Sequence, residues 1–153
     1  MANVKLGTKA VGSIVKIKVN GASKDFIVVQ QGNPNTSTYD SSCNGTWLLM
    51  KDIYTTSTFG NDNSYKDSSI HTYLNGTFYN LIDSNIRAAI KQVKIPYQNG
   101  TGSGGSLATG SNGLSTKVFL LSGYEVGWTT SDNGPYFPQG WCSAGVLWQR
   151  LRR

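Results

Sequence analysis

The sequence predicts an α+β fold with an N-terminal β-hairpin, a twisted and mostly antiparallel sheet braced by two short helices, and long loops rich in glycine and serine. Apolar and polar residues alternate near the N-terminus, and helical periodicity is confined to residues 68–97. Segments rich in Gly, Ser, Thr and Asn separate the apolar runs. The chain of 153 residues can bury one modest core, so we predict a single module over residues 1–143. An atypical apolar and basic tail follows over residues 144–153.

The predicted hairpin rests on a period of two. Val15, Ile17 and Val19 alternate with lysines, as in a strand with one buried face. Asn20-Gly21 then provides a tight turn, because both residues tolerate a positive φ. Residues 26–30 form the return strand.

Two further apolar runs, residues 46–54 and residues 118–122, predict strands. The glycine-dense segment 99–115 predicts a flexible loop, as does the polar segment 32–45. Neither loop matches a phosphate-binding glycine motif.

The segment 68–97 predicts two short helices that pack against the sheet. The first follows an N-cap at residues 67–68 and ends at Gly76. The second follows an N-cap at residues 83–84 and ends at Pro96. The apolar positions expected to be buried are Ile70, Leu74, Ile86 and Ile90.

The composition favours an extracellular, virion or adhesive module. Charged residues make up 14% of the chain, against about 25% in ordinary soluble domains. The net charge is +6, but three arginines crowd residues 150–153 and the lysines elsewhere are scattered, whereas nucleic-acid binders concentrate charge in a patch. Cys43 and Cys142 match no metal or redox spacing, and two free thiols are expected.

The candidates for catalysis lack the partners that catalysis needs. His71 is the only histidine and belongs to no catalytic motif, so we predict a structural role for it. Glu125 is the only glutamate, and nothing in the sequence places two carboxylates at the separation that glycoside hydrolysis requires. The Asp and Asn oxygens of residues 60–67 do not follow EF-hand spacing. We expect no catalytic residue, metal or cofactor.

Aromatic residues in or beside polar loops are a better indication of function. Rings surrounded by Ser, Asn and Gly are typical of recognition surfaces. Trp47 is the exception, since we expect it to cap the core. The predicted ligand-binding residues are Tyr39, Tyr65, Trp128, Tyr136, Phe137 and Trp141.

Three stretches carry a resemblance: "CNGTWLLMKDIY", "SSIHTYLNGTFYNLIDSNIRAAIKQVKIPY" and "VFLLSGYEVGW". Together they resemble a module of uncharacterised function found in phage minor structural and tail-associated proteins and in surface proteins of Gram-positive gut bacteria. The resemblance runs from Val11 to Pro138. The module is distantly similar to the C-type-lectin-like fold of formylglycine-generating enzymes and phage variable receptor-binding proteins. The resemblance implies loops that carry ligand recognition, and it implies no catalytic residue.

The C-terminal part departs from that module. The module normally continues into a second half with a Trp-rich segment like "WWLRSP" and a closing strand near "GVRPA". Here the sequence reads "WCSAGVLWQRLRR". We therefore expect a truncated or frame-shifted form of the module, whose tail is either poorly integrated or covers a sheet edge.

The predicted function is that of a non-enzymatic binding module of a phage virion, tail-associated or minor structural, or of a bacterial surface. Its expected ligand is a host-surface protein or glycan, and other virion or surface proteins or a second copy are its expected partners. The alternatives are a carbohydrate-active enzyme, a basic nucleic-acid-binding protein and an inactive truncated remnant. The N-terminus has no signal-peptide or membrane-span pattern, so the expected location is a virion assembled in the host cytoplasm, with the bacterial cytoplasm or cell surface as alternatives.

Overall fold

A computed structural model describes residues 5–59, 64–99, 106–122 and 125. Its largest sheet has three antiparallel strands in the order β1-β2-β3, namely β1 (Ile14–Val19), β2 (Ala22–Gln31) and β3 (Thr46–Met50). The architecture is a small α+β fold, as the sequence predicts. The predicted tail at residues 144–153 lies outside the described residues.

The N-terminal hairpin is confirmed. Asn20 and Gly21 form its turn with φ values of 50° and 75°, the left-handed conformation that this turn requires. Ile17 and Val19 are buried, and across the ladder Val15 pairs with buried Phe26. One face of the sheet therefore carries the core residues, while Lys16 on the opposite face pairs with Asp25.

Two small antiparallel ladders complete the strand structure. Strand β4 (Val93–Ile95) pairs with β7 (Leu114–Thr116), and β5 (Tyr97–Asn99) pairs with β6 (Ser106–Ala108). The prediction of a flexible loop over residues 99–115 is therefore wrong at residues 106–108 and 114–115, which form strands. These strands are three residues long, too short to show a hydrophobic period. The strand predicted at residues 118–122 is also wrong, because those residues pair with no strand in the described chain.

The helical segment is continuous from Ser69 to Leu81. It consists of α1 (Ser69–Tyr73), a π-helical turn (Leu74–Phe78) and α2 (Tyr79–Leu81). Ser68 is the N-cap, because its Oγ accepts a hydrogen bond from His71 N at 3.2 Å. A third helix, α3 (Ser84–Arg87), begins after Asp83, whose carboxylate accepts from Asn85 N.

Both predicted helix ends are wrong, although both N-caps are confirmed. Gly76 lies inside the π-helical turn, because the packing of the apolar residues that follow it carries the helix past this glycine. The second helix ends at Arg87, and Val93 belongs to β4. Local propensity marks where these helices begin, whereas tertiary packing decides where they end.

The core consists of two clusters, and the helical segment packs against the sheet through one of them. In that cluster, Phe78 and Ile82 of the helical region join Ile17, Val19 and Phe26 of the sheet. The four positions predicted to be buried are only partly buried. Leu74, Ile86 and Ile90 pack against this cluster, and Ile70 packs against the other. The bracing role of residues 68–97 is thus confirmed in its packing.

Short 3₁₀ helices occupy the connections, at Leu6–Thr8, Ser41–Cys43, Tyr65–Asp67 and Gly110–Asn112. The second core cluster gathers residues from these connections and from β4, β5 and β7. Its buried members are Tyr39, Cys43, Tyr65, Ile95, Tyr97 and Leu114. Within the described ranges, no helix has both the length and the apolar character that crossing a membrane requires.

Candidate functional site

The carboxylate of Glu125 is held by two side chains and one backbone amide. Tyr39 Oη donates to Oε1 at 2.6 Å, while Ser122 donates to Oε2 from its N at 2.7 Å and from its Oγ at 2.9 Å. Glu125 N donates in return to Ser122 Oγ at 3.2 Å. Charge-assisted bonds of this kind are about twice as strong as neutral ones. Glu125 thereby links Ser122 to Tyr39, which lies 86 positions earlier in the chain than Glu125.

The loop around Tyr39 is ordered by its own side chains. Asn33 Oδ1 accepts from Asn35 N at 3.0 Å, and Asn35 Oδ1 accepts from Ser37 N at 3.0 Å. Such Asx turns fix a polar loop without a core of its own. Asp40 accepts from Ser42 N at 2.9 Å, and hydrogen bonds from Ser42 lower the pKa of Asp40. The loop therefore has a defined shape, with residues 34–37 exposed.

A second turn lies beside this loop. Gly110 N donates to Thr38 O at 2.9 Å, and Gly110 has a φ of 54°, which favours glycine. Ser111 and Asn112 of the same turn are exposed. We call residues 34–38 and 110–112 the loop surface. It consists of exposed amides, hydroxyls and backbone groups next to the Glu125 anchor.

Tyr39 and Tyr65, two of the predicted binding residues, are core side chains with exposures of 4% and 3%. Tyr39 packs edge-on against Trp47, with ring centroids 5.5 Å apart. Tyr65 Oη accepts from Leu120 N at 3.1 Å, and burial raises the pKa of Tyr65. Both rings belong to the second core cluster. The other predicted binding residues lie outside the described residues: Trp128, Tyr136, Phe137 and Trp141.

A second polar site centres on Asn75. Its Oδ1 accepts from Thr116 Oγ1, Lys117 N and Val118 N at 3.0, 2.9 and 3.2 Å. Its Nδ2 donates to Val118 O at 2.9 Å and to His71 O at 3.1 Å. The Asn75 side chain thus joins the end of β7 and the residues that follow it to the π-helical turn. We interpret this role as structural.

His71 lies next to this docking point. Its Nδ1 is 3.4 Å from Asn75 Nδ2, and its ring packs edge-on against Tyr65 at 5.0 Å between centroids. Burial lowers the pKa of His71, an effect that Asp67 opposes. The ring is therefore held mainly in its neutral form at neutral pH.

Cys43 is a buried free thiol whose Sγ donates to Lys94 O at 3.3 Å, and burial raises its pKa. A thiol in this state is a poor nucleophile. Cys142 lies outside the described residues. In the part of the chain that the structure describes, no group of three or more His, Cys, Asp or Glu residues is arranged to hold a metal ion.

Sequence reasoning missed Asn75 and the bond between Tyr39 and Glu125. Asn75 offered one signal, since an asparagine before a glycine inside a helical pattern disfavours a helix unless its side chain has a specific partner. Tyr39 and Glu125 offered none, because their pairing depends on the fold.

Comparison with known families gives one match. A family model described as a domain of unknown function, DUF6273, covers residues 44–143. That range contains β3, the helical segment, the two small ladders and Glu125, and it begins after Tyr39. The chain has no match among curated proteins and none among solved structures.

Proposed function

Because the chain belongs to the DUF6273 family, whose description assigns no activity, we propose a function from the site itself. The protein is a non-enzymatic binding module of a phage virion, tail-associated or minor structural, or of a bacterial surface. It recognises a host-surface protein or glycan through aromatic-bearing loops. The proposed location in a phage virion or on a bacterial surface rests on the resemblance of three sequence stretches to a module found in such proteins.

The observation that carries this proposal is the anchor at Glu125. The Glu125 carboxylate accepts a hydrogen bond from the Tyr39 hydroxyl. Tyr39 directly follows residues 34–38 of the loop surface in the sequence. The aromatic-rich segment begins in the sequence directly after this anchor, with four of the predicted binding residues between 128 and 141. In this proposal the anchor brings that segment to the loop surface.

The chemistry of the loop surface suits a hydroxyl-rich ligand. Asn35, Ser37, Ser111 and Asn112 are exposed and can donate and accept hydrogen bonds. Aromatic rings add large apolar faces at a low cost in conformational entropy. Adaptable polar groups beside rigid rings are the combination that recognition loops use.

A binding screen tests the proposal. The full chain is applied to an array of bacterial surface glycans and to intact bacterial cells, and affinity is measured for each positive ligand. Alanine variants of the predicted binding aromatics should bind at least about tenfold more weakly, because buried rings dominate most interfaces. The variants are Trp128→Ala, Tyr136→Ala, Phe137→Ala and Trp141→Ala. Ile53→Ala, which truncates a side chain 53% exposed and outside the loop surface, is the control.

Three results would contradict the proposal. One is unchanged binding in all four aromatic variants. Another is cleavage of a bound glycan, which would favour a carbohydrate-active enzyme. The third is binding to nucleic acid alone with affinity that falls steeply with salt, the behaviour expected from counterion release.

A further inference from the structure

Two cations converge on one tyrosine at the end of the helical region. Lys117 Nζ lies 4.6 Å from the centroid of the Tyr79 ring and donates to Tyr79 Oη at 3.0 Å. The Arg87 guanidinium carbon lies 5.9 Å from the same centroid. The two positive groups are therefore no farther apart than the sum of these two centroid distances. We call Tyr79, Arg87 and Lys117 the cation pair site.

No carboxylate among the described residues forms a salt bridge with Arg87 or Lys117. The salt bridges within the described residues are Lys16–Asp25 and Lys66–Asp67, and neither involves Arg87 or Lys117. Arg87 Nη1 donates to the neutral Asn80 Oδ1 at 2.9 Å. Two like charges near one another disfavour each other unless an opposite charge lies between them.

Arg87 also has an unused donor. Its Nε is buried and has no hydrogen-bond partner within the described chain. A buried donor without an acceptor is costly, and native proteins generally give such a group a partner. The Tyr79 hydroxyl does not accept from Nε: it donates to Arg87 O at 3.2 Å and accepts from Lys117 Nζ at 3.0 Å.

We propose that Arg87 and Lys117 bind an oxyanion, the carboxylate or phosphate group of a ligand. Arg87 would donate from Nε, and its planar fork suits a two-oxygen anion. Lys117 would supply a point charge, held in place by its hydrogen bond to Tyr79. This site shares no residue with the loop surface, so a test of anion binding here does not depend on the function proposed above.

The test follows the side-chain Nε–H of Arg87 by ¹⁵N NMR, with the resonance assigned by its loss in Arg87→Gln. Inorganic phosphate and acetate are titrated in separate arms, with sodium chloride keeping the ionic strength constant. Saturable shifts of the Nε–H with at least one anion are expected, and the arm that saturates at the lower concentration identifies the preferred oxyanion. Lys117→Gln should weaken that affinity at least about tenfold, since a charge-assisted contact is lost. Lys18→Gln removes one exposed lysine charge elsewhere and should leave the affinity unchanged.

Thermal unfolding provides a second measurement. The preferred anion should raise the unfolding midpoint of the wild type and of Lys18→Gln, and not that of Lys117→Gln or Arg87→Gln. An Arg87 Nε–H that responds to neither anion would overturn the proposal. So would equal responses in Lys117→Gln and Lys18→Gln. A shift of the same resonance in Asp62→Asn or Asp132→Asn without added anion would also overturn it, because a carboxylate of the chain itself would then occupy the site.

Discussion

The side chain of Asn75 joins two segments that are distant in the sequence, although the residue lies within a helical segment. Its amide joins the π-helical turn to buried Thr116 and to the backbone of Lys117 and Val118. π-Helical turns often mark sites where a helix accommodates a specific contact. Here the turn places one side chain against the end of β7 and the two residues that follow it.

Replacing this amide should destabilise the fold. Asn75→Ala leaves the amides of Lys117 and Val118 without their acceptor, so we expect the free energy of unfolding to fall by about 2 to 4 kcal/mol. Urea denaturation measures the change. Asn112→Ala removes an exposed asparagine and should stay within about 0.5 kcal/mol of the wild type. Equal effects of the two substitutions would show that the Asn75 contacts are not structural.

His71 makes stability depend on pH. Burial lowers its pKa in the folded state, so the unfolded chain binds more protons around and below pH about 6.5. Stability from this group is therefore present above that pH and is lost as the pH falls toward the folded-state pKa. The free energy of unfolding should drop as the pH falls below about 7, and His71→Gln should flatten the curve. A curve of the same slope in the variant would contradict this assignment.

Among the secondary-structure elements, the hairpin and the first residues of the helices could be predicted from the sequence. The pairing of the short strands could not. The hairpin is encoded locally, because alternation and Asn20-Gly21 lie within a few residues of each other. The N-caps are equally local, and Ser68 and Asp83 both serve as predicted. In contrast, β4 pairs with β7 across about 20 residues through three-residue strands, and no local pattern signals such a pairing.

Alanine substitutions of two glycines, one in the helical segment and one in the hairpin turn, should have opposite effects on stability. Gly76 lies in the π-helical turn without a positive φ, and an added Cβ would meet no atom within 4 Å. Gly76→Ala should therefore raise the free energy of unfolding by about 0.5 to 1 kcal/mol, because alanine loses less entropy in a helix. Gly21→Ala should lower it by a similar amount or more, since Gly21 has a φ of 75°. Denaturation of both variants decides, and a loss of stability in Gly76→Ala would mean that a helix end lies at this position.

On the scale of the whole molecule, the fold class could be predicted and the candidate site only in part. Composition and periodicity were enough for a small α+β domain, because they report burial averaged over each element. They also identified aromatic residues near loops, but not which of them support the core. The sequence around Tyr39 and Tyr65 does not distinguish them from exposed aromatic residues. They are buried only because segments distant in the sequence pack around them.

In the function proposed above, the hydrogen bond between Tyr39 and Glu125 positions a ligand-binding segment. A double-mutant cycle on a ligand from the binding screen tests it, using Tyr39→Phe, Glu125→Gln and the double variant, each with its stability measured in parallel. We expect each single variant to weaken binding while remaining folded, and the double variant to weaken it little further, since both changes break the same contact. Wild-type affinity in both single variants, or fully additive losses, would contradict it.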